Sequence, residues 1–171
     1  MTAMPTIIEA ARNVPVYAEV DVLVCGGGPA GFCAAATAAR CGAKTLLVEQ
    51  MNCLGGIATA GGHNHICLYT AWGSETRVVG GVAWEMMQRV VDNGYGVYRG
   101  GGFDFEIEGL KLALDRMSSE AGIELLFYTQ FAGIQFDDDE TMVAFIQNKS
   151  GRQAVRARRV IDATGDADVA A

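Results

Sequence analysis

The stretch that most constrains this chain is 21–49. Val22, Leu23 and Val24 form a short apolar run that ends in Gly26-x-Gly28-x-x-Gly31. Pro29 and Ala30 open an alanine-rich run that reads as a helix to Arg40, and Gly42 stands where a helix C-terminus favours a left-handed residue. Thr45 to Val48 reads as a second buried strand, and Glu49 follows it. Strand, turn, helix, strand and terminal acid, within roughly 30 residues, make the dinucleotide-binding βαβ fingerprint.

Each residue type has a physical reason to be there. Gly26 lets the chain turn sharply out of the strand. Gly28 has no side chain, so a pyrophosphate can approach the backbone. Gly31 lets the helix pack closely on the sheet, and Ala34, Ala35 and Ala38 extend that fit. The helix N-terminus offers unpaired N–H groups and partial positive charge to phosphates. Glu49 can accept hydrogen bonds from both ribose hydroxyls and would repel a 2′-phosphate; Gln50 stands beside it.

A chain of 171 residues, half of them hydrophobic and 19% charged, has room for a core and is globular. Its net charge of −7 argues against nucleic acid or an anionic membrane surface as partner. No apolar run approaches the ~20 residues that span a bilayer, and the N-terminus lacks the charged-then-apolar pattern of a signal peptide. Cys25, Cys33, Cys41, Cys53 and Cys67 form no CxxC pair. An odd number of scattered cysteines in an α/β chain predicts reduced thiols and a cytoplasmic setting.

Residues 1–20, with Pro5 and Pro15, read as an extended lead-in packed beside the first strand; 21–171 read as the dinucleotide-binding domain. The glycines of 55–62 predict a loop where backbone comes close to something. Gly80-Gly81 leads into a helix over 82–93 with a buried stripe of Trp84, Met87 and Val91, and Gly100-Gly101-Gly102 reads as a further loop. A helix over 105–121 places Ile107, Leu110, Leu114, Met117 and Ala121 on one face, with Gly122 ending it. A strand over 123–128 follows. Alternation at 131–136, 142–147 and 152–157 predicts a three-stranded meander, with turns at Asp137-Asp138-Asp139-Glu140 and Asn148-Lys149-Ser150-Gly151. Val160-Ile161-Asp162-Ala163 reads as one more strand, ending in Thr164-Gly165-Asp166. Because ligands of open α/β sheets bind outside the carboxyl ends of the strands, the chain ends amid a site, and a longer protein is expected.

These features together resemble the FAD-dependent oxidoreductase family with the glutathione-reductase-type FAD fold. They are Val14-Pro15, the GGGPAG turn, Glu49, Leu54-Gly55-Gly56-Ile57-Ala58-Thr59, the pattern from Asp104 through Leu110-Lys111 to Ala121-Gly122-Ile123, and Val160 to Asp168. The resemblance is to the branch carrying GGGPAG, a GG-x-x-T loop and IDATGDGD, and it covers nearly the whole chain. It implies a Rossmann-like FAD-binding domain of central parallel sheet, helices and meander, present here in its N-terminal portion, with the second FAD region and substrate domain absent.

By position, the resemblance implies that Gly26, Gly28 and Gly31 hold the FAD pyrophosphate and Glu49 the adenosine ribose. Gly55, Gly56 and Thr59 would lie along the pyrophosphate, ribityl chain or flavin ring. Gln130 or Phe131 would meet the adenine through the backbone, and Thr164, Gly165 and Asp166 would close over the cofactor. Ala167 stands where the family more often has Gly. The implied function is hydride or electron transfer between FAD and a small-molecule substrate or electron donor, with self-association left open. No catalytic acid or base is identified. The alternatives are an NAD-dependent dehydrogenase domain and a non-catalytic, truncated flavoprotein fragment.

His63 and His65 could donate protons near a flavin or bind a metal, against the plainer reading of loop histidines bonded to backbone. Cys53 has no resolving partner nearby and reads as an inert thiol. Some relatives carry iron–sulfur clusters, but no CxxCxxC run stands here, so neither cluster nor metal is expected.

Overall fold

The computed structural model describes residues 5–137 and 140–171. Asp138 and Asp139 of the first meander turn lie outside the described residues. The chain folds as a mixed, mostly parallel α/β sheet with three helices, as the sequence predicts. The main sheet is built from β1 (Val16–Cys25), β2 (Thr45–Val48), β6 (Glu124–Leu126), β7 (Gln130–Phe136), β8 (Met142–Asn148) and β9 (Gly151–Asp162), in the order β6-β2-β1-β9-β8-β7. β6, β2, β1 and β9 run parallel; β8 and β7 continue from β9 as an antiparallel meander.

Two strands are longer than their sequence pattern suggests. β1 begins at Val16, inside the stretch read as lead-in, because β9 offers it a parallel partner along its whole length, from Val16↔Ala154 to Cys25↔Asp162. Likewise 152–157 and 160–163, read as two strands, form the single 12-residue β9, in which the charged Arg158 and Arg159 are exposed but do not break the strand. β9 therefore closes the meander on one side and extends the parallel sheet on the other.

Helices α1 (Pro29–Arg40), α2 (Gly81–Asp92) and α3 (Ile107–Ala121) cover one face of the sheet. α1 is rich in alanine, the best helix former, and its small side chains let it approach the strands. Phe32, Leu47, Met87, Leu110, Leu114 and Met117 are fully buried beneath the three helices, each contributing roughly 1.5–3 kcal/mol by burial. The buried stripe of α2 centres on Met86, Met87 and Val90; Trp84 and Val91 from the predicted stripe are half-buried. Arg40 of α1, Glu85 and Arg89 of α2 and Glu120 of α3 form a surface ion network, Arg40–Glu85 at 2.6 Å and Arg89–Glu120 at 2.7 Å. Such exposed pairs contribute at most about 1 kcal/mol each. The opposite face of β1 and β2 buries Leu23, Cys25 and Leu46 against Ala144, Ile146 and Val155 of the meander.

The glycine-rich segment around 100 holds an unexpected hairpin. β4 (Gly96–Arg99) and β5 (Gly102–Phe105) pair antiparallel across Gly100-Gly101, and β3 (His65–Ile66) adds to β5. Both turn glycines have positive φ, +55° and +82°. This small sheet carries Tyr98, Phe103 and Phe105 onto the helices, with Trp84 stacked on Tyr98 at 5.2 Å. Because Phe105 belongs to β5, α3 starts two residues later than its periodicity suggests.

Candidate functional site

The parallel strands run in the order third, second, first, fourth, so the connection direction reverses between β1 and β9. A cleft of about 980 Å³ opens at the carboxyl ends of those strands. That volume lies at the upper end for ligand sites and suits a large ligand.

The turn after β1 forms the cleft floor. Gly26 has φ +100°, and a Cβ there would lie 2.3 Å from the Ala163 carbonyl oxygen of β9's end. A Cβ on Gly31 would lie 1.8 Å from the Gly26 carbonyl oxygen. Both positions are thus closed to any side chain by the protein itself. Gly28 differs: its φ is −64°, and a Cβ there would meet nothing within 4 Å. It caps α1 without a side-chain hydrogen bond, and the first turn holds no acid, so the helix's unpaired N–H groups and positive end are not neutralised by the chain.

Glu49 is buried, and its carboxylate accepts from the Gly27 N–H at 2.6 Å and the Met51 N–H at 2.7 Å. It therefore ties the glycine turn to the end of β2, a role the sequence reading did not foresee, and each oxygen has further acceptor capacity in a residue that lines the cleft. Gly55 N–H donates to the Gly27 carbonyl at 2.8 Å, and a Cβ on Gly56 would lie 3.0 Å from Gly28 Cα. The second glycine loop is thus docked on the first.

Of the residues singled out in the sequence, Gly26, Gly28, Pro29, Ala30, Glu49, Gln50, Gly56, Gln130, Phe131, Thr164 and Gly165 line this one cleft. Gly31, Gly55, Thr59 and Asp166 do not line it. Gly31 packs helix to turn, and Gly55 takes φ +103° at the start of a 3-10 turn, Gly56–Ala58. Thr59 is buried and its hydroxyl donates to the Leu54 carbonyl, bracing that turn. Asp166 is exposed, and Asp168 lines the cleft instead.

The sequence reading also missed Asp162, the last residue of β9. Its Oδ1 accepts from the Thr164 N–H (3.1 Å) and hydroxyl (2.7 Å), and its Oδ2 from the N–H groups of Val169 (3.0 Å) and Ala170 (3.1 Å). Burial works against its charge, but these donors outweigh it and hold the carboxyl below the usual carboxylate range. Burial, with the Asp162 charge nearby, pushes the Cys25 thiol up to about 12, which keeps it protonated and unreactive. The signal available in the sequence was an acid two residues ahead of Thr164-Gly165, the spacing of an Asx-type turn.

His65 bonds a carboxylate and not backbone: its Nδ1 lies 2.6 Å from Asp104 Oδ1 across β3 and β5, outside the cleft lining. Among the described residues, no group of three or more His, Cys, Asp or Glu side chains is placed to hold a metal ion. Among them, too, no helix is long and apolar enough to cross a membrane.

The switch in strand order, the sealed glycine turn and the uncapped helix over an open cleft define an α/β fold of the kind seen in the FAD-binding domains of flavoproteins. The profile of the FAD dependent oxidoreductase family matches residues 21–171, and the chain belongs to that family. It is 31% identical over 160 residues to the digeranylgeranylglycerophospholipid reductase of Methanosarcina acetivorans, a match spanning 85% of this chain and 37% of that relative's length. Its fold is similar to that of Thermovibrio ammonificans THI4, with a TM-score of 0.61 at 20% identity over 89% of this chain and 60% of that one. It is also similar to the flavin-dependent monooxygenase PieE, solved in complex with FAD and substrate, with a TM-score of 0.51 at 21% identity over 85% of this chain and 30% of that one.

Proposed function

We propose that this chain holds FAD extended along the cleft and supplies the cofactor-binding part of an oxidoreductase that moves hydride or electrons between the flavin and a small-molecule substrate or electron donor. The observation that carries the reading is Gly28. It is the one glycine of the turn whose missing side chain leaves open space, and it sits at the uncapped N-terminus of α1 beside the cleft. Room for a phosphate and orphan donors to bind it therefore coincide.

Around that point the remaining roles divide by position. Glu49 and Gln50 face the ribose, and the backbone of Gln130 and Phe131 meets the adenine. Gly56, Ile57, Thr164 and Gly165 border the other arm of the cleft. FAD, when bound, supplies the redox chemistry, and these residues bind it, orient it and exclude water. Family membership and the meander beyond α3 favour FAD over NAD as the dinucleotide.

The test is the visible spectrum and FAD affinity of the purified protein beside Gly28→Val. The wild-type protein should show flavin absorbance and quench FAD fluorescence, and the valine variant should keep its helical signal and lose both. A variant that binds FAD as the wild type does would refute the phosphate-loop assignment.

A further inference from the structure

The far wall of the cleft is a short segment, 163–170, with little packing of its own. Gly165, Asp166, Ala167, Asp168 and Ala170 are exposed; Ala163 touches the helix-covered core and Val169 the core shared by the meander and β1. Ala167 is also held at φ +63°, an uncommon conformation for a residue with a Cβ. Such a segment has no apolar reason to keep one shape.

Besides the backbone bonds of Ala163 N–H to the Cys25 carbonyl and Ala170 N–H to the Ala167 carbonyl, it is ordered by hydrogen bonds to one side chain. Asp162 gathers Thr164 from one end of the segment and Val169 and Ala170 from the other. Thr164 Oγ1 in turn accepts the Asp168 N–H at 3.0 Å. The segment so closed presents Ala163, Thr164, Gly165 and Asp168 to the cleft. Its first residue is fixed against the floor, since Ala163 fills the space where side chains on Gly26 or Gly31 would go.

We propose that Asp162 is a positioning residue for the dinucleotide: without touching the cofactor, it preforms the second wall of the cleft by clasping 163–170. The proposal rests on the reading that the cleft takes FAD. A wall ordered before binding spares the complex the conformational entropy of ordering it, which appears as affinity.

Two measurements test it. In wild-type protein stripped of FAD, hydrogen exchange at the Val169 amide should already be slowed, and FAD should slow it little further. Asp162→Ala removes both acceptor oxygens at once. The Val169 amide should then exchange freely, while Ala170 keeps its bond to the Ala167 carbonyl, and FAD should bind about tenfold more weakly or worse, the scale of losing a hydrogen bond to a charged acceptor. The thermal midpoint of the FAD-free variant should stay near that of the wild type, because the residues Asp162 clasps, Thr164, Val169 and Ala170, lie outside the helix-covered core. An unprotected Val169 amide in the FAD-free wild type would overturn the proposal, whatever the variant does. So would an Asp162→Ala protein that binds FAD as the wild type does while Gly28→Val does not. If instead Gly28→Val binds normally, the FAD reading of the cleft falls, and the exchange data still report whether the clasp exists.

Discussion

Replacing Glu49 by alanine should weaken the protein before any ligand is added. The carboxylate is buried and accepts two backbone N–H groups, from Gly27 at 2.6 Å and Met51 at 2.7 Å. A hydrogen bond to a charged group contributes about 1.5–3 kcal/mol. The Gly27 donor is buried and would be left unpaired, so its share should be lost in full. Met51 is 44% exposed, so water can replace much of the second bond. The sum is about 2–4 kcal/mol, and at about 2–4 °C per kcal/mol for a chain of this size the midpoint should fall by about 4–16 °C. Thermal unfolding of FAD-free wild type and Glu49→Ala, followed by circular dichroism, measures this. FAD affinity should fall as well, by about 1.5–3 kcal/mol for the ribose contact, while riboflavin, which lacks the adenosine, should lose less. An unchanged midpoint would show that the carboxylate does not hold the glycine turn. Equal losses for FAD and riboflavin would place Glu49 away from the ribose.

Gly26→Ala should cost more stability than Gly28→Ala, because the first combines φ +100° with a 2.3 Å clash against the Ala163 carbonyl and the second meets open space at φ −64°; denaturant titrations that give equal midpoints would contradict the packing. Native thiol labelling at pH 8 should modify the exposed Cys41 and Cys67 and spare Cys25, whose pKa is raised to about 12, so rapid labelling of Cys25 would show the floor of the cleft to be open. Asp162 has a folded pKa below its ordinary 3.8, so its stabilising effect on 163–170 is complete above that value and is lost as pH falls through the lower folded one, with Cys25 as the nearest titratable neighbour and uncharged throughout. A carboxyl titration by NMR with a midpoint at or above 3.8 would refute that sign. Ala167→Gly should raise stability by about 0.5–1 kcal/mol, relief of the left-handed strain offset by glycine's entropy, and a drop in thermal midpoint would count against it.

The parts of this fold that were legible in sequence are those where one local pattern has one outcome. Gly26, Gly28, Gly31 and Glu49 announce strand, turn and helix by spacing alone, and Leu110, Leu114 and Met117 announce α3 by period. What was not legible depends on partners far along the chain. Val16 to Val20 looks like lead-in until β9 is beside it, and Arg158-Arg159 looks like a break until β1 is seen to hold the strand straight through. The β4–β5 hairpin was hidden because three consecutive glycines outweighed the alternation Val97, Phe103, Phe105 around them. In the site, Asp162 was read as one more strand residue, since nothing local says that its acceptors would meet donors seven and eight residues on. Thr59 and Asp166 carried motif positions, but their directions are set by the Leu54 carbonyl and by solvent.

The pairing of β1 with β9 has a consequence for synthesis. β1 leaves the ribosome early and can pair with β2 almost at once, but its other edge is satisfied only when residues 154–162 arrive. Until then the nascent chain displays a row of unpaired backbone groups along a ten-residue strand whose last three residues are fully buried in the finished fold, the kind of edge that recruits foreign strands. The cleft inherits this delay, because one of its walls is the end of that late strand. Slowed elongation between β2 and β9 should therefore increase aggregation of the nascent chain, while β9 peptide supplied in trans should compete for the waiting edge.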